Sequence, residues 1–193
     1  DPKEVRPSLT AALPTLLKGD SEALKATLEL VTLFQLDVAS LPAETLASLA
    51  ANAKLSGSAR AKALEMLLSR KPANAVELAE KYAKDPKDEV AIVALGELAH
   101  RNPTQGLVEL GKAAKAGSAA RRQGAWKALA KLQAPGVETL FVEQLGALAT
   151  AKGVSPAALE LMEAAALRPE PAVKDALAKL KTLLADPAIA LEN

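Results

Sequence analysis

His100 is the only imidazole in this 193-residue chain, and its neighbours are Ala99, Arg101 and Asn102. One histidine can be a general base, a metal ligand or an axial haem ligand, but each role needs partner residues. The partners are not in view. The chain has no cysteine, which excludes thiolate zinc sites, disulfides and thiol catalysis. The pairs Glu77/Glu80 and Glu160/Glu163 have the i, i+3 spacing of helical carboxylate ligands, but no histidine joins either to complete a metal set. They are read as surface charge. Glycines stand singly, no GxxxxGK[ST] phosphate loop occurs, and Ser, His and Asp form no nameable triad. No catalytic residue, metal ligand or cofactor is assigned, so the chain reads as a non-enzyme. His100 falls at the last turn of a predicted helix, where it would cap free carbonyls and meet the negative end of the dipole.

Cations supply the other candidate chemistry. Lys112, Lys115, Arg121, Arg122, Lys127 and Lys131 form the richest basic cluster, a possible surface patch. Gripping a phosphate backbone needs several cations converging on one strip. Here Glu109, Glu138 and Glu143 flank the cluster and Trp126 is the only aromatic nearby, so nucleic acid is not the expected partner. Arg60 and Arg122 occupy equivalent places two steps of 31 residues apart, with Ala91 between them. They are expected to bond an acidic residue or a helix carbonyl of an adjacent repeat.

Those positions belong to a repeating pattern. Leu64, Leu95 and Trp126 keep the 31-residue step, as do Leu67, Leu98 and Leu129, and Ala63, Ala94 and Ala125. Such a period indicates stacked helix pairs, none of which can bury its apolar face without neighbours. Trp126 stands where its equivalents are leucines, so it is expected to be a large core residue.

Eleven helices are predicted. The first pair is Val5 to Lys18 and Ser21 to Gln35; the second opens at Leu41-Pro42 and runs to Lys54, then from Ala59 to Arg70. Asn74 to Lys84 and Lys87 to Arg101 form the third, and Thr104 to Ala116 and Ser118 to Leu132 the fourth. Val137 to Lys152 and Ser155 to Leu167 form the fifth, and a last helix, Pro171 to Leu184, runs out into Asp186-Pro187. Connections this short make consecutive helices antiparallel neighbours. An apolar stripe of Leu180, Leu183 and Leu184 on the last helix calls for cover.

Composition agrees with an all-α fold. Half the residues are apolar, Ala and Leu dominate, and the β-branched and aromatic enrichment of strands is missing. The 24 basic and 23 acidic residues give a net charge of +1, so no global field recruits nucleic acid or anionic lipid. No apolar run is long enough for a membrane span. The chain begins at Asp1 without a methionine and is read as a fragment or processed region of a larger multidomain protein, with 1–193 as one domain.

The hinge positions Gly19, Gly57, Pro86, Gly117 and Gly153 are 38, 29, 31 and 36 residues apart. That irregularity resembles HEAT repeats and differs from the strict periods of ankyrin or tetratricopeptide arrays. The fold expected is therefore a HEAT-like α-α superhelix, or solenoid, of about five antiparallel helix pairs plus a C-terminal helix.

From Pro103 onward the resemblance narrows. The run Ala120-Arg121-Arg122-Gln123-Gly124-Ala125, the string Leu145-Gly146-Ala147-Leu148 and the segment Leu159 to Ala165 resemble the HEAT segment of large secreted or membrane-associated proteins of planctomycetes and verrucomicrobia. In that family a β-propeller resembling sugar dehydrogenases precedes the HEAT repeats, and a c-type cytochrome domain with a CxxCH haem site follows. The resemblance implies a connecting scaffold in a periplasmic or extracellular setting, carrying none of the parent's redox residues and contacting neighbouring domains of the same chain or another protein. The alternatives are a HEAT-architecture enzyme or nucleic-acid binder, resembling phycobilin lyases or DNA glycosylases. They would need a bilin-sized pocket, or a basic groove with an exposed tryptophan and a carboxylate.

Overall fold

Ala and Leu are the best helix formers, and isolated Gly and Pro end helices without offering an alternative structure. The computed structural model describes residues 2–34, 36, 41–150 and 156–185, and among these it contains helices and no strand. In chain order they are α1 (Pro2–Leu16), α2 (Ser21–Leu33), α3 (Ala43–Ala51), α4 (Gly57–Ser69), α5 (Ala75–Tyr82), α6 (Asp88–Arg101), α7 (Pro103–Ala116), α8 (Ala119–Lys131), α9 (Val137–Thr150), α10 (Pro156–Ala166) and α11 (Pro171–Leu184). Every described boundary falls within three residues of the expected one. The helix ends expected at Gln35, Lys152 and Ser155, the hinge at Gly153 and the run-out at Asp186-Pro187 lie outside the described residues. None of these helices is long and apolar enough to cross a membrane.

Side-chain caps set the starts. Ser56 Oγ accepts a hydrogen bond from the Ala59 amide at 3.3 Å, Asn102 Oδ1 from Gln105 at 3.3 Å, and Ser118 Oγ from Arg121 at 3.2 Å. Each satisfies an amide that the first turn leaves without a helical partner. The caps account for two small differences from expectation: α4 starts two residues early, at Gly57, and Ser118 caps α8 from outside it. Pro103 and Pro171 occupy first-turn positions, where a missing amide hydrogen costs nothing.

The chain divides into two compact units, Asp1–Ala94 and Leu95–Asn193. In the first, α1 packs on α2, α3 on α4 and α2 on α4. Leu13, Leu28, Leu46 and Leu64 form its centre with Ala75 and Tyr82 of α5 and Val90 of α6. In the second unit α7 packs on α8, α8 on α10 and α9 on α11, while α10 also touches α9 and α11. All nine residues that carry the 31-residue step are buried, none more than 4% exposed. Trp126 meets Phe141 with ring centroids 5.2 Å apart and planes tilted by 53°. Leu180 is buried within the second unit, where α11 packs on α9 and α10, so part of the stripe that called for cover is covered, and Leu183 and Leu184 are half-buried.

Small residues set the distances between helices. Ala63, Ala94 and Ala125 are fully buried, and Gly106 of α7 lies so close to α6 that a methyl group there would sit 2.2 Å from the Ala99 Cα. Only glycine permits that approach.

Candidate functional site

Charge packed between the helices of an apolar interior needs partners, and Arg60, Arg122 and Arg168 carry it here. Arg60 of α4 donates from Nε to the Ala50 carbonyl at the end of α3 (2.8 Å) and grips Asp85 through Nη1 (3.1 Å) and Nη2 (2.5 Å). Arg60 and Asp85 side chains are each 8% exposed. The planar fork of the guanidinium suits a carboxylate bound at both oxygens. Arg60 thus ties the end of α3, the start of α4 and the turn after α5, the structural role expected of it. Tyr82 lies beside this pair; burial pushes its hydroxyl pKa up, with Arg60 opposing and Asp85 reinforcing.

Arg122 also has the expected partner types. Its Nη1 donates to the Gly117 carbonyl at 3.0 Å, and Nε stands 3.6 Å from Glu160 Oε2. Glu160 is therefore not plain surface charge, as its spacing suggested. Its side chain is 15% exposed and faces α8, whereas Glu163 is exposed.

Arg168, which sequence reasoning missed, is the most buried of the three. Its Nη1 donates to the carbonyls of Leu129 (3.3 Å), Ala130 (3.1 Å) and Leu132 (2.8 Å), which end α8. Nε and Nη2 bind Glu170, the residue that precedes α11, and the guanidinium lies over the Phe141 ring at 5.9 Å. The hydrogen bonds from Arg168 hold the Glu170 carboxyl below its ordinary pKa, against a smaller opposing effect of burial. The available signal was the string Arg168-Pro169-Glu170-Pro171, in which proline-restricted backbone separates a cation and an anion by two residues between helices.

These contacts also orient the helices of the second unit. Residue 122 meets 160 near the starts of α8 and α10, and residue 168, just past α10, meets the end of α8. The two helices run in the same direction. Similarly, Leu107 lies where a methyl on Gly136 would be 3.3 Å away, and Leu140 lies 3.7 Å from a methyl position on Gly111. Residue 107 faces 136 and 111 faces 140, so α7 and α9 also run in parallel, with a register of 29 residues.

Between α7 and α9 lies an open groove of about 400 Å³. Its apolar part is Leu107, Val108 and Leu140, with Gly111 and Gly136 contributing no side chain. Gly136 has φ +91°, a conformation that favours glycine at this turn. Val108 is 52% exposed. Lys112 and Lys115 stand on the α7 rim, and Thr139 and Glu143 on the α9 rim.

The structure therefore distributes the six cations of the basic cluster. Lys112 and Lys115 come together on the groove; Lys112 is bonded to Glu109 at 2.8 Å. Lys127 and Lys131 are exposed one turn apart on α8. Arg121 and Arg122 are half-buried, and helical rotation separates Arg122 from Lys127 and Lys131 by roughly 140° and 180°. His100 is exposed in the last turn of α6. No group of three or more histidine or carboxylate side chains is placed to hold a metal among the described residues. No protein family, curated protein or solved structure matches this chain.

Proposed function

We propose that the helix pairs are HEAT-like repeats of an α-solenoid, and that the chain is a non-catalytic interaction module contacting other polypeptides. The repeat reading is supported by helices packing on their equivalents one pair later: α2 on α4, α8 on α10 and α9 on α11. The parallel directions of α7 with α9 and of α8 with α10 support it further. Stacked repeats offer continuous surfaces suited to binding.

The observation that carries the functional reading is the groove between α7 and α9, apolar at its base and charged at both rims. Hydrophobic contacts flanked by polar ones are the general anatomy of a protein interface. Together with the family resemblance, the reading extends to a scaffold between a dehydrogenase-like propeller and a cytochrome c domain of the same protein. Amine-directed cross-linking of the protein at the length its cells make tests this. Lys112 and Lys115 are expected to link to polypeptide outside residues 1–193; links confined to 1–193 would refute the reading.

A further inference from the structure

We draw no further inference here: the strongest candidate, the open groove between α7 and α9 with its apolar base of Leu107, Val108 and Leu140, carries Lys115 and Glu143 at the same end, so its charge selects no occupant and nothing in the structure shows what covers it.

Discussion

Truncating Arg168 to alanine separates two accounts of why a guanidinium is buried beside α8. Its Nη1 has two hydrogens for three carbonyls at 2.8 to 3.3 Å, so about two charge-assisted hydrogen bonds are lost. At roughly 1.5–3 kcal/mol each, and with water recovering part through the opened space, the cost is about 3–4 kcal/mol. The Glu170 side chain is 22% exposed, so its ion pair is partly screened and contributes about 1 kcal/mol or less. Arg168→Ala should therefore cost several times more than Glu170→Gln, with Arg168→Lys between them because it keeps charge and loses the fork. Trp126 is the only tryptophan and packs on Phe141, over which Arg168 lies, so its fluorescence during urea unfolding reports this cluster directly. With m of about 1–3 kcal/mol per molar, the alanine variant should lower the midpoint by more than about 1 M. If Arg168→Ala stays within about 1 kcal/mol of wild type, or Glu170→Gln costs as much, the carbonyl-capping account is wrong.

Three further outcomes follow from the same packing. Gly106→Ala should destabilise by about 2 kcal/mol, since overpacking against the Ala99 backbone exceeds the roughly 1 kcal/mol gained in helix propensity. Gly146→Ala, with nothing within 4 Å of the new methyl, should stabilise by about 0.5–1 kcal/mol, and equal signs for the two in thermal melts would contradict the close-approach argument. Trp126→Ala should cost about 3–5 kcal/mol and Trp126→Leu, the residue of its repeat equivalents, distinctly less; equal midpoint losses by circular dichroism would count against core packing. Glu170 has a lowered folded pKa, so its stabilisation is complete above the ordinary value of 4.5 and is lost as pH falls through the folded value. The urea-midpoint gap between wild type and Glu170→Gln should therefore shrink between pH 5 and pH 3, and a gap that widens would reverse the assignment.

Helices were legible because their determinants are local. Ser56, Asn102 and Ser118 cap the helices they precede, and periodic Leu64, Leu95 and Trp126 are buried as their spacing requires. Arg60 was legible in type, since a basic residue at a repeat-equivalent place must meet a carboxylate or a carbonyl once buried. Its partner was not, because Asp85 is 25 residues away and only the packing of the first unit decides which acid comes within reach. Arg168 was missed for a related reason: it lies between helices, outside the periodic positions, and its acceptors are main-chain carbonyls that any sequence would supply.

The groove was illegible for a different physical reason. A periodicity search responds to side chains that fill a core, as Leu, Phe and Trp do at many buried positions of the second unit. Between α7 and α9, Gly136 faces Leu107 and Gly111 faces Leu140, so each facing pair has a side chain from one partner only and the groove stays open. Each glycine read alone looks like a helix-end or spacing residue. Only the parallel register, with 107 against 136 and 111 against 140, turns two absent side chains into one open site. The same register carries Lys115 and Glu143 to one end, so the polarity of the site is fixed by helix direction, which a one-dimensional reading of charge had spread over six cations.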